Sequence, residues 1–93
     1  MQKSFKLSIL TPEKTVYTGD IVSLVAPAQR GYLGVLANHA PLMANTVPGT
    51  IRFKESSQRT VVMSSKGKGF LEIDSNNVTL LLDKVEREKK AVP

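Results

Sequence analysis

The sequence predicts a single all-β domain, and three observations carry that prediction. Apolar and polar residues alternate with a period of two, the apolar runs are short, and Gly, Pro, Asn and Asp punctuate them at close intervals. A period of two is what a strand shows when one face is buried and the other wet. Ninety-three residues, 41% of them apolar, suffice for one hydrophobic core and not for two. Short strands joined repeatedly by turn chemistry point to a sandwich or a barrel.

The first strand covers residues 5–9, where Phe5, Leu7 and Ile9 alternate with Lys6 and Ser8. Thr11, Pro12 and Glu13 form a turn, because proline fixes φ and lacks an amide hydrogen. A short strand at residues 15–17 and a turn at Thr18 and Gly19 follow, then a long strand over residues 20–26 that Pro27 stops. Residues 32–36 and 42–47 read as two further extended pieces, the second set between Pro41 and Pro48. Pro48 and Gly49 open a second series of strands at residues 50–54, 59–65, 70–73 and 78–82, with polar turns between them. From residue 83 the strand pattern fails, and seven of the last eleven residues are charged. A short helical stub is expected there, with Glu86 and Lys90 four apart as a favourable pair. The division that results is a domain over residues 1–83 and a charged tail over residues 84–93.

Several function classes are disfavoured by residue type. There is no cysteine, hence no disulfide framework and no thiolate metal site, which is compatible with a reducing compartment. His39 is the sole histidine, so a metal site or a general base would need carboxylate partners that the spacing does not supply. The eight carboxylates are scattered along strand ends and wet faces. Ser65, Lys66, Gly67, Lys68 and Gly69 resemble a phosphate-cradling loop only superficially, because a strand rather than a helix follows, and the plain reading is a hairpin turn. The sequence therefore points away from an enzyme and calls for no cofactor. The first ten residues lack the apolar core of a signal peptide and no window is long and apolar enough to span a membrane, so a soluble, unprocessed chain is expected. A net charge of +5 raises nucleic acid as an alternative partner, although two Tyr, three Phe and no Trp leave few stacking side chains.

Residues 31–41, Gly-Tyr-Leu-Gly-Val-Leu-Ala-Asn-His-Ala-Pro, form the most informative segment. Gly31 and Gly34 suggest backbone that takes positive φ or approaches another chain closely, and Pro41 holds Ala40 extended. Gly34, Asn38 and Pro41 are assigned to loop geometry. Apolar residues and a histidine on a shaped loop over a rigid scaffold suit protein binding.

At this segment the sequence resembles the N-terminal β-sandwich domain of the epsilon subunit of F-type ATP synthase. The family pattern there has a glycine, an acidic residue, a second glycine two positions on, a proline, and then His-Ala-Pro. The similarity is collinear over residues 5–83. It includes the Pro-acidic turn, the Gly-acidic pair and the long strand in residues 9–24, Pro48 and Gly49 followed by Thr50, Ile51 and Arg52, and the closing hairpin over residues 69–82. Two departures fall in the segment itself, where Tyr32 replaces the acidic residue and Ala37 the proline.

The resemblance implies a two-sheet sandwich of about ten strands. It further implies a central-stalk rotor subunit joining the gamma subunit to the membrane-embedded c-ring in proton-driven ATP synthesis. Such a subunit is non-catalytic, is peripheral to the cytoplasmic face of the bacterial inner membrane, and is not expected to homo-oligomerise or to bind nucleic acid. By position, Thr11, His39 and Ala44 match family residues near gamma, and Arg30, Gly31 and Tyr32 match the loop facing the c-ring. The family's C-terminal helix pair, which restrains ATP hydrolysis, has no counterpart in residues 84–93, so coupling without self-inhibition is expected.

Overall fold

A computed structural model describes residues 3–87. It contains nine strands and, among the described residues, no helix. They are β1 (Phe5–Leu10), β2 (Thr15–Ala28), β3 (Gly31–Val35), β4 (Leu42–Thr46), β5 (Gly49–Glu55), β6 (Thr60–Ser65), β7 (Gly69–Asp74), β8 (Asn77–Leu82) and β9 (Val85–Arg87).

Strand β2 belongs to both layers of the sandwich. Its first half runs antiparallel to β1, from Thr15 opposite Leu10 to Ile21 opposite Phe5. Its second half lies between β3 and β5, with Leu24 opposite both Val35 and Phe53. The ladder slips between Ile21 and Ser23, where Ile21 and Val22 are buried in succession, and a bulge of this kind bends and twists a strand. One layer is thus β2–β1–β8–β7–β4, with β1 and β8 parallel, and the other is β3–β2–β5–β6–β9. Ala28 meets Thr46 of β4, so β2 touches both edges of the first layer.

The alternation expected from the sequence is what fills the core. Leu7, Ile9, Leu71 and Leu80 from the first layer meet Ile51, Phe53 and Met63 from the second in one buried cluster. Each is essentially inaccessible, and burying such a side chain contributes about 1.5–3 kcal/mol. Tyr17 lies against Phe53 with ring centroids 4.6 Å apart and a 53° tilt.

Four local expectations are corrected. Thr18 and Gly19 make no turn, because they pair with Ser8 and Leu7 and β2 is continuous through them. Glycine is needed there for a different reason: a Cβ at Gly19 would stand 2.6 Å from the Tyr17 hydroxyl. Pro27 does not stop β2. The last rung to β5 is Val25 opposite Arg52, two residues earlier, and the Pro27 carbonyl accepts a hydrogen bond from Val47 N at 3.0 Å. Residues 66–68 are no hairpin turn but a crossing from β6 in one layer to β7 in the other. Val85–Arg87 form a strand on the edge of β6 where a helical stub was expected, and Glu86 faces Lys66 at 3.8 Å; Lys90 lies outside the described residues.

Candidate interaction surfaces

The outer face of the first layer carries an apolar strip. Leu10, Leu81 and Phe70 stand in adjacent register across β1, β8 and β7, all on the outward side of the pleat. In β4 Asn45 stands opposite Phe70, and Met43 lies two residues along on the same face, opposite Glu72. Leu81 is 48% exposed and Met43 64% exposed, large values for apolar side chains on a sheet. Beside Leu10 and Leu81 a shallow groove continues past Thr11 and Pro12, with Lys68 and Asp83 at its rim.

The pairings also gather five connections at one end of the sandwich. Leu10 meets Thr15, Ala28 meets Gly31 and Thr46, Thr46 meets Gly69, and Gly69 meets Leu82. Gly49 meets Ser65, which meets Val85. The turns at residues 11–14, 29–30, 47–48, 66–68 and 83–84 therefore share that end. The opposite end holds residues 36–41, 56–59 and 75–76.

The nine residues singled out by sequence do not form one site. Thr11 is half-buried at the end that gathers the five turns, where it and Lys14 exchange backbone hydrogen bonds. His39 lies half-buried at the other end, its Nδ1–H donating to the Ala40 carbonyl at 2.8 Å. Ala44 is opposite the buried Leu71, so its methyl lies on the inner side of β4, and Met43 is the side chain that β4 turns outward. The apolar strip spans the sheet face between Thr11 and the strand that follows His39.

Arg30 is exposed in the two-residue turn between β2 and β3. Gly31 has φ of 125°, a conformation that L side chains rarely adopt. Tyr32 is 62% exposed and leans over the outer face of the second layer, beside Val25 and Arg52, where its hydroxyl accepts a long 3.4 Å hydrogen bond from Thr50 N. Gly34 departs from the expectation. It is an ordinary β3 residue opposite Val25, with open space where a Cβ would stand. Asn38 carries the loop geometry instead, at φ 66°, and it is clasped by Asn76 of the β7–β8 turn, itself at φ 61°. The Asn38 amide donates to Asn76 Oδ1 at 2.6 Å and Asn76 Nδ2 donates to Asn38 Oδ1 at 3.0 Å. Pro41 is exposed just before β4.

Met43, Phe70 and Leu81 are the surface residues that sequence reading missed. The signal was present in the phase of the alternation, since each sits between two inward residues of its strand. Among the described residues no cluster of three His, Cys, Asp or Glu is placed to hold a metal ion.

The architecture is that of a β-sandwich module whose distinguishing features are exposed surfaces. Residues 4–88 match the family model for the ATP synthase Delta/Epsilon chain β-sandwich domain, and the chain belongs to that family. It is 37% identical to the ATP synthase epsilon chain of Dichelobacter nodosus, over 94% of this chain and 60% of that protein. It is 36% identical to the epsilon chain of Leptospira borgpetersenii, over 92% and 72%. The chain thus spans only part of the length of these relatives. The fold superposes on a chain of the Euglena gracilis mitochondrial ATP synthase OSCP/F1/c-ring structure with a TM-score of 0.84 at 14% identity, covering 90% of this chain and 53% of that one. A chain of the Tetrahymena thermophila mitochondrial ATP synthase central stalk and c-ring gives 0.72 at 12% identity, covering 90% and 66%. The motif resemblance to epsilon subunits is borne out over nearly the whole sequence.

Proposed function

We propose that the chain is a non-catalytic rotor subunit of the central stalk of a bacterial ATP synthase, joining gamma to the c-ring at the cytoplasmic face of the membrane. The single observation that carries this reading is the apolar strip Leu10, Leu81, Phe70 with Met43, lying between Thr11 and the strand that follows His39. Solvent does not favour such a strip, and a partner surface that covered it would remove apolar area at roughly 25 cal/mol per Å². In this reading gamma covers the strip, and the end bearing Arg30, Gly31 and Tyr32 faces the c-ring. A close-packed sandwich suits the task, because it resists deformation when torque passes through it.

The sandwich domain supplies coupling and not restraint of ATP hydrolysis. ATPase rates of the catalytic complex with saturating amounts of this chain are expected to stay near the rate without it, and strong inhibition would overturn that part of the reading.

Co-purification with gamma tests the whole. Wild type retains gamma, while Met43→Glu combined with Leu81→Glu loses it and melts within a few degrees of wild type, since both side chains stand outside the core. Gamma binding that survives both charges would remove the strip from the interface. Salt-sensitive binding to a random oligonucleotide in place of gamma would support the nucleic-acid alternative.

A further inference from the structure

The end of the sandwich described above is unevenly charged. Its turns carry five cations, Lys14, Arg30, Lys66, Lys68 and Lys84, against two carboxylates, Glu13 and Asp83. That surplus of three makes up most of the surplus of four in residues 3–87, which hold eleven cations and seven carboxylates. All five cations are exposed, and among the described residues only Lys66 has an ion-pair partner, the exposed Glu86.

Two features define what such an end can bind. The cations stand on four separate turns and line no common cavity, so they suit negative charges spread over a surface rather than one small anion. The turns are also tied down. Lys66 N donates to the Lys84 carbonyl at 2.9 Å, Asp83 N to the Lys68 carbonyl at 3.3 Å, and Gln29 N to the Asn45 carbonyl at 3.0 Å. Turns already held in place need no backbone ordering on meeting a structured partner, an advantage a fluid layer of lipid headgroups does not exploit. At the start of β5, just past the turn at residues 47–48, the Tyr32 hydroxyl uses a lone pair for Thr50 N and keeps its hydrogen to donate to an acceptor.

We infer that this end is a cationic docking face for carboxylate-bearing loops of the c-ring, with Lys68 and Lys84 steering and Arg30 and Tyr32 hydrogen-bonding the carboxylates. The inference rests on the rotor reading and adds the sign of the partner's charge. Complementary fields of this kind act mainly on encounter rate and specificity and weaken as salt screens them.

The test uses the full chain with its gamma subunit and the purified c-ring from the same organism. Affinity for the ring is expected to fall about tenfold between roughly 50 and 200 mM salt. Arg30→Glu combined with Lys84→Glu is expected to lower it by about tenfold or more at the lower salt, with gamma affinity unchanged. Ring binding that ignores both salt and charge reversal would overturn the inference while leaving the rotor reading intact. Failure of the wild-type gamma complex to bind the ring at all would overturn the rotor reading itself. Equal, charge-dependent binding to phosphatidylglycerol vesicles without any ring would overturn the assignment to protein carboxylates.

Discussion

Asn38 and Asn76, left-handed residues in two turns far apart in sequence, hold each other by two reciprocal hydrogen bonds. The clasp fixes the loop that carries His39 to the tip of the β7–β8 hairpin. Asn76→Gly keeps the backbone conformation and removes both bonds, and is expected to cost about 1–2 kcal/mol. Asn76→Ala adds the strain of a Cβ at φ 61° and should cost about 1 kcal/mol more. Urea denaturation of the two variants checks the order, and equal losses would argue against the left-handed requirement.

Gly31 and Gly34 are predicted to behave differently although they flank the same two residues. Gly31→Val places a β-branched side chain at φ 125° and should destabilise by roughly 1–3 kcal/mol. Gly34→Val occupies open space on a strand, where β-branched residues are favoured, and should be neutral or stabilising. Thermal melts of both variants decide this.

Thr46 is 2% exposed, and its hydroxyl finds no hydrogen-bond partner among the described residues. A Cβ on the neighbouring Gly69 would lie 2.8 Å from that oxygen and would also clash with the Leu81 carbonyl. Thr46→Val, which exchanges the stranded hydroxyl for a methyl of like shape, is expected to stabilise by about 1 kcal/mol. Gly69→Ala should destabilise by about 1–3 kcal/mol through overpacking. An unchanged midpoint for Thr46→Val in denaturant would mean that the oxygen is hydrated.

Burial, with help from the Glu55 carboxylate that its hydroxyl meets at 2.8 Å, pushes the Tyr17 phenol up from 10.0 to about 12. Between those values the unfolded chain has released a proton that the fold still holds, so this residue makes stability fall as pH rises from 10 toward 12. Tyr17→Phe is expected to flatten that part of the profile. Denaturation midpoints across the alkaline range test it, and an unaltered slope would place the shift elsewhere.

Strand positions were legible in the sequence because each buried face repeats locally, as Phe5, Leu7 and Ile9 do. What was not legible depends on partners distant in the chain. Thr18 and Gly19 look like a turn until Leu7 and Ser8 are seen to pair with them. Pro27 looks like a terminus until the β5 ladder is seen to end before it. Ala44 and Met43 differ only in which side of β4 they occupy, which the ladder to β7 fixes. The basic end could not be read at all, since it is assembled from turns spread over residues 14–84.

Strand β2 has a mechanical meaning as well as a topological one. Two stacked sheets held only by side-chain contacts can slide over one another under shear. Here one run of fourteen residues is hydrogen-bonded into both, on either side of its bulge. A twist applied to the outer face of one sheet therefore reaches the other through covalent bonds, and slippage between them would require breaking the rungs of this strand.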